Sequence, residues 1–314
     1  MRLVFCGTPE FAVPTLEAVL GAGHEVVLAV TQPDRAAGRG MEMHAPPVKG
    51  VAEARGITVV QPEKIKNNGE FRERLEGVRA AGGLDAILVV AYGRIVPRWM
   101  LDLPRLGCIN LHGSLLPKYR GAAPVQWAIA NGEKVTGVTT MRIDEGLDTG
   151  EMLLARAIPI APEERAPEVF ASLAALGAGL MVETLERLAS GTLDAVPQEH
   201  ALATLARILT REDGRIEFSR SAQEIYNRWR GFQPWPGAYT SFRGKKLSVH
   251  TMRPVAEVEL APGVLKVLGE QLTVGCGVHS ALALDEVQME GKRRISGAEF
   301  VRGFQVRSGE RLGS

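Results

Sequence analysis

Apolar positions in the first half of the chain fall in short, nearly unbroken runs. Arg2–Cys6, Glu25–Thr31, Ile57–Val60, Asp85–Ala91 and Gly107–Leu111 read as strands, and several are apolar almost throughout, as strands covered on both faces are. Between them the spacing changes to a helical period, at Pro14–Leu20, Val48–Arg55 and Gly69–Ala81. Such alternation predicts a doubly wound, mostly parallel α/β sheet, whose ligands sit beyond the carboxyl ends of the strands. Thr136–Ile143 and Glu151–Pro159 have the pattern of a hairpin at the sheet edge, and Pro167–Leu188 that of a long helix closed by Ser190-Gly191. Residues 192–210 have little periodicity and read as a linker. One more helical stretch, Ser221–Trp229, precedes short runs punctuated by Gly and Pro: Ala238–Phe242, Lys246–Met252, Gly263–Leu268, Gln271–Val274 and Ala281–Gln288. Short strands at close spacing predict a small, OB-like β-barrel. The expected organisation is an α/β domain over 1–191, a linker over 192–210 and a barrel domain over 211–314. Arg307–Ser314 reads as a frayed tail.

Composition narrows this picture. A 314-residue chain that is 45% hydrophobic can build two cores without staples. Cys6, Cys108 and Cys276 lie far apart with no C-x-x-C spacing, which fits three small buried hydrophobes in a reducing compartment. The apolar run at the N-terminus is too short for a signal-peptide core, and Val169–Val182 is shorter than a membrane span. A cytoplasmic protein with no membrane partner is the expectation. Residues 1–206 carry 20 Lys+Arg against 24 Asp+Glu, and residues 207–314 carry 17 against 12. A mildly basic C-terminal third is compatible with a polyanionic partner, although a solvated basic face is the commoner reason for such a bias.

Two cofactor classes are disfavoured. The first turn, Gly7-Thr8-Pro9-Glu10-Phe11, lacks the G-x-G-x-x-G of a dinucleotide site, and no G-x-x-x-x-G-K-[ST] occurs. No His/Cys/Glu cluster has metal-ligand spacing, so no metal is expected. The informative stretch runs from Asn110 to Pro124, after an apolar strand. Asn110 and His112 are two apart, so an extended chain turns both side chains to one face. The Asp- and Gly-rich run Asp144–Gly150 follows another strand and could bring Asp148 to His112. Those three groups suit acyl transfer to an amine. N–H groups of Asn110 and His112 can hold the oxygen on which charge builds, and Asp148 can orient the imidazole and take up a proton. Taken singly, each has a plainer reading: a structural histidine, a cap or turn asparagine, a turn aspartate.

These motifs resemble the folate-dependent formyltransferases. The resemblance rests on N-x-H-G-S-L-L-P-x-Y-R-G-A-x-P from Asn110 and on D-x-G-x-D-T-G from Asp144. It extends to L-V-F-C-G-T-P-E-F-A-V-P at the start, Q-P-D-R-A-A-G-R-G at 32–40, I-L-T-R-E-D-G-R-I at 208–216 and G-F-Q-P-W-P-G-A at 231–238, and so spans nearly the whole chain. It implies a Rossmann-like catalytic domain, a barrel that binds tRNA and a monomer. It also implies 10-formyltetrahydrofolate as donor and the α-amine of methionine on initiator tRNA as acceptor. Asn110, His112 and Asp148 match the family's catalytic trio. Ser114, Leu115, Leu116 and Pro117 match its folate-contacting run, and Tyr92, Gly93, Arg94 and Ile95, after Ala91, the edge beside the pterin.

Residues 31–49 form a long insertion, and the resemblance implies that it enters the end of the acceptor stem through Arg35 and Arg39. Where many family members carry lysines after G-R-G, this chain has Met41-Glu42-Met43-His44. Fewer phosphate contacts are expected there, with Met41 and Met43 supplying apolar wedging instead. In the barrel, Lys245 and Lys246 sit between two strand-like runs, where a loop can touch phosphates, and Lys292-Arg293-Arg294 is a second cluster. Trp235, flanked by prolines, is expected to pack against the other domain. Three other functions keep the same motifs in play: a formyltransferase for a sugar nucleotide or purine-precursor amine, a formyl-folate hydrolase, and a non-catalytic folate or RNA binder.

Overall fold

The computed structural model describes residues 1–37, 42–256 and 259–313. Two compact units emerge. One comprises Met1–Pro124, Val135–Pro159 and Phe170–Arg207, the other Val125–Lys134, Ile160–Val169 and Ile208–Ser314.

The first unit is built on seven strands: β1 (Arg2–Gly7), β2 (Glu25–Val30), β3 (Val59–Val60), β4 (Ala86–Val90), β5 (Cys108–His112), β6 (Val135–Arg142) and β7 (Met152–Pro159). Their order across the sheet is β7-β6-β5-β4-β1-β2-β3. The five strands from β5 to β3 run parallel, while β6 and β7 add an antiparallel hairpin at one edge. The sequence accounts for this division. β1 and β4 are apolar and buried along nearly their whole length, because helices cover both faces of a parallel sheet. Val4, Cys6, Ile87 and Val89 share one core with Phe71 and Leu75 of helix α3 (Gly69–Ala80), which follows α1 (Val13–Gly21) and α2 (Pro47–Ala54). Leu3, Phe5 and Leu88 alternate to the other face and are equally buried.

The chain leaves β1 for β2 and β3 on one side, then crosses back to β4 and β5 on the other. The carboxyl ends of β1 and β4 therefore flank the point where strand order reverses, the usual place for a ligand crevice. Two helices follow: α4 (Pro124–Ala130), which from Val125 belongs to the second unit, and α5 (Ala166–Ala189), which belongs to this unit from Phe170 on. α5 has 24 residues and is apolar enough to cross a membrane by length and composition, with half of its apolar window buried in the protein. Leu173, Ala174, Ala178, Met181, Leu185 and Leu188 form its buried stripe at helical spacing, and Phe170 meets Phe11 edge to face at 5.8 Å.

Of residues 192–210, which lack periodicity and were expected to join two halves, 192–207 group with this unit and 208–210 with the second. Val196 bridges to Met152, and Leu205–Ala206 pairs in parallel with Arg120–Gly121. Single hydrogen-bonded crossings of this kind need no repeating pattern in sequence.

The second unit carries helix α6 (Ala222–Gly231), whose start is fixed by reciprocal hydrogen bonds between Ser221 and Glu224. Its antiparallel sheet has β8 (Ala238–Phe242), β9 (Lys245–Val255), β10 (Leu265–Leu268), β11 (Gln271–Cys276) and β12 (Ser280–Met289), in the order β8-β9-β12-β11-β10. Helix α7 (Gly297–Phe304) covers it through Phe300, which packs edge-on against Phe242 at 5.2 Å. The tail is not frayed through residue 313. Leu312 is buried, its N–H donates to Gly263 O at 2.9 Å, and Gly313 N–H donates to Ser241 O at 2.9 Å. Residues 309–313 thus join the two outer strands, β8 and β10, and occupy edges that would otherwise stay open. Trp229 lies in this unit's core, stacked on Tyr226. Trp235, expected to be packed away, is instead 55% exposed. All three cysteines are buried free thiols.

Candidate active site

β5 ends at His112, and its register places Asn110 beside Val89 of β4 and Met141 of β6. Asn110 is half-buried at the sheet's carboxyl end; His112, two residues on, is buried. The imidazole is held from both sides. Its Nε2 lies 2.9 Å from the carbonyl oxygen of Tyr119. A carbonyl can only accept, so Nε2 carries a proton. Nδ1 then faces Asp148, whose Oδ2 is 3.6 Å away. That separation is an ion-pair distance, slightly long for a direct hydrogen bond.

Asp148 reaches this position through its loop. The Asp144 carboxylate accepts from Gly146 N–H at 3.0 Å and from Thr149 Oγ1, closing the turn. A side chain at Gly150 would fall 1.9 Å from Arg142 O, so only glycine fits there. Asp148 itself is left-handed, with φ +51°, a region that Asp tolerates better than most residues. Its Oδ2 accepts from Gly121 N–H at 2.8 Å. The D-x-G-x-D-T-G run is therefore a device for aiming one carboxylate.

Beyond His112 the chain is pinned to β6. Thr139 Oγ1 donates to Ser114 O at 2.7 Å and accepts from Leu116 N–H at 3.2 Å. Ser114 is buried, and its hydroxyl is spent on Lys118 O at 2.6 Å. Leu115 fits against β6 because Gly137 opposite it has no side chain: a Cβ there would lie 2.5 Å from Leu115 Cδ2. The peptide between Leu116 and Pro117 is cis.

The stretch from Tyr92 to Ile95 follows β4. The Tyr92 ring is buried in the sheet core, where its hydroxyl has no partner, and burial raises its pKa well above that of a free phenol. Its backbone carries the polar contacts: Tyr92 O accepts from Gln32 Nε2 at 3.0 Å and from Thr8 Oγ1 at 3.4 Å. Gly93 O accepts from the same Gln32 amide at 3.4 Å, and Ile95 is 88% exposed. Gln32 Oε1 and Arg94 Nε are buried without a protein partner. Sequence reasoning gave Gln32 no role, although it opens the Q-P-D-R-A-A-G-R-G run at 32–40. Among the described residues, no group of three or more His, Cys, Asp or Glu side chains could hold a metal ion.

Of the residues expected to meet tRNA, Arg35 is exposed on a ribbon in which Arg35–Ala37 pairs with Glu42–His44, where Met43 is also exposed. Arg39 and Met41 lie outside the described residues. Lys49 Nζ ties the base of this insertion to Asp34 Oδ2 at 2.7 Å and Gln61 Oε1 at 3.0 Å. In the second unit Lys245 and Lys246, expected in a loop between strands, instead open β9 and pair with Phe242 and Ser241 of β8; Lys245 is exposed, and Lys246 Nζ sits 4.5 Å from the centre of the Tyr239 ring. Neighbouring Arg243 is held by Glu310, and Arg293 and Arg294 are paired with Glu299 and Glu286.

A mostly parallel sheet carrying this site and a second unit of antiparallel strands define the class, and the chain belongs to the formyl transferase family. Residues 1–185 match the family described as formyl transferase, and residues 208–305 match the formyl transferase C-terminal domain. The methionyl-tRNA formyltransferase of Acidobacterium capsulatum is 60% identical over the full length of both chains. That of Koribacter versatilis is 59% identical over 100% of this chain and 99% of its own. Among solved structures, the fold is similar to the N-formyltransferase of Helicobacter canadensis in complex with folinic acid and dTDP-3-aminofucose. The TM-score is 0.67 at 19% identity, covering 92% of this chain and 99% of that one. HypX from Aquifex aeolicus in complex with tetrahydrofolic acid gives a TM-score of 0.61 at 16% identity, over 99% of this chain and 48% of its own.

Proposed function

We propose that this chain transfers the formyl group of 10-formyltetrahydrofolate to the α-amine of methionine on initiator tRNA, acting as a cytoplasmic monomer. The observation that carries the reading is His112, gripped at Nε2 by Tyr119 O with Nδ1 turned to Asp148, on the same strand face as half-buried Asn110. The names of the full-length relatives supply the acceptor.

The Asn110 amide N–H stabilises the oxygen of the formyl group as the amine attacks its carbon. His112 Nδ1 takes the proton that the attacking nitrogen loses, directly or through one water, and the Asp148 carboxylate balances the imidazolium so formed. His112 then returns that proton to the departing folate nitrogen as the carbon–nitrogen bond to it breaks. The products are N-formylmethionyl-tRNA and tetrahydrofolate, and the imidazole is restored. The unpaired Gln32 Oε1 beside Tyr92 and Gly93 offers an acceptor for a heterocycle N–H, which supports folate binding between that edge and the Ser114–Pro117 run. Lys245, Lys246, Arg35 and Arg39 supply positive charge for the tRNA backbone.

The test incubates the purified chain with 10-formyltetrahydrofolate and charged initiator tRNA and measures N-formylmethionine. Formation of that product, with a loss on the order of 10²–10³ in turnover for His112→Ala at unchanged tRNA affinity, is expected. Formate release without an acceptor, or full turnover by His112→Ala, overturns the reading.

A further inference from the structure

Both partners of the His112 imidazole are held by one later segment of the chain. Tyr119, whose carbonyl fixes Nε2, donates its N–H to Thr204 Oγ1 at 2.8 Å, and Arg120 N–H donates to Thr204 O at 2.8 Å. On the Asp148 side, Gln198 Nε2 donates to Asp148 O and to Gly150 O, each at 2.8 Å. Gln198 Oε1 accepts from Arg120 Nε at 3.0 Å and from Arg120 Nη2 at 2.6 Å. Gln198 and Arg120 are only 5% and 6% exposed. Both amide protons of Gln198 and its carbonyl oxygen are thus engaged without water. Asparagine lacks the reach, glutamate lacks the donors, and leucine lacks both.

This side chain bridges the two loops that converge on His112. The loop at Asp148 holds a non-glycine residue in the left-handed region, which Asp tolerates better than most residues and which the hydrogen bonds around it hold in place. The two carbonyls that Gln198 caps flank that turn, and Arg120, the other end of the bridge, precedes the Gly121 N–H that receives the Asp148 carboxylate. We propose that Gln198, assisted by Thr204, is a positioning residue for formyl transfer: it fixes the Asp148 turn against the Tyr119–Gly121 strip, and so sets the geometry of the His112–Asp148 pair. Neither residue touches His112 or Asp148's carboxylate, so both act through the backbone they hold. The inference rests on the function proposed above.

The experiment measures turnover and KM for both substrates in the full-length chain for Gln198→Leu, Gln198→Glu, Thr204→Ala and Thr204→Ser, alone and in an Asp148→Asn background. Gln198→Leu and Gln198→Glu are expected to lower turnover roughly 10–100-fold, the range typical of removing an orienting partner, with KM changed by less than about threefold. Thr204→Ala is expected to lose less, and Thr204→Ser to restore wild-type turnover. Because Gln198 acts through Asp148, its replacement should cost almost nothing further once Asp148 is asparagine. Gln198→Glu keeps the oxygen that receives Arg120, so it carries the test if Gln198→Leu does not fold. Equal losses in both backgrounds, or wild-type turnover in folded Gln198→Glu, would overturn the clamp. Full activity in His112→Ala would instead remove the function on which it rests, whatever Gln198 does.

Discussion

Asp148→Asn isolates the charge of one carboxylate from its structural role. The amide keeps an oxygen to accept Gly121 N–H, now at 2.8 Å, and keeps the backbone carbonyl that Gln198 holds. What it loses is the negative charge 3.6 Å from His112 Nδ1. The two side chains are only 6% and 18% exposed, so solvent screens the pair little. With an effective dielectric of about 20, unit charges at that separation attract by roughly 4–5 kcal/mol. Burying the imidazolium takes back part of this. A net loss of about 3–4 kcal/mol in the transition state corresponds to on the order of 10²–10³ in rate. The assay is single-turnover formyl transfer to charged tRNA with both substrates saturating, beside a thermal melt. The expected result is that loss in rate with a midpoint within about 4 °C of the parent, the shift that roughly 1 kcal/mol produces in a domain of this size. A rate within about fivefold of the parent would refute the reasoning, because no sizeable electrostatic term would then remain to explain.

Three further outcomes are expected. Charge reversal at Lys245 and Lys246 should weaken tRNA binding, leave folate binding unchanged and make the salt dependence shallower by about one unit for each phosphate no longer neutralised; a parallel fall in both affinities would contradict the assignment of tRNA contact to the start of β9. Gly137→Ala places a Cβ 2.5 Å from Leu115 Cδ2 and 2.2 Å from Arg156 O, so a destabilisation of about 1–3 kcal/mol is expected in denaturant unfolding, with turnover falling as Leu115 is displaced. Burial pushes the Cys108 and Cys276 thiols up to about 12, which leaves on the order of one in 10⁴ ionised at pH 8. A thiol reagent should therefore label them only after unfolding, as timed mass spectrometry will show.

Much of the first unit could be read from the chain because its signals are local. A strand covered on both faces must be apolar at successive positions, so β1, β2 and β4 announce themselves, and period-2 geometry alone puts Asn110 and His112 on one face. The hairpin of β6 and β7 at the sheet edge and the long helix α5 were legible for the same reason. The short helices α4 and α7 were not read from the sequence, although α2, of eight residues as α7 is, was.

What the residues fixed by themselves was periodicity, and with it the strands, the long helix and the shared face of Asn110 and His112. Tertiary structure alone decided which partners those residues meet. Gln198 and Arg120 are 78 positions apart, and Asp148 and Gly121 are 27 apart. The closing of the second sheet by residues 309–313, the exposure of Trp235 and the grip on His112 belong to the same class. A hydrogen bond between distant residues imposes no repeat on the sequence around either end. Its cost in chain entropy is met by the whole fold, so only the assembled fold discloses it.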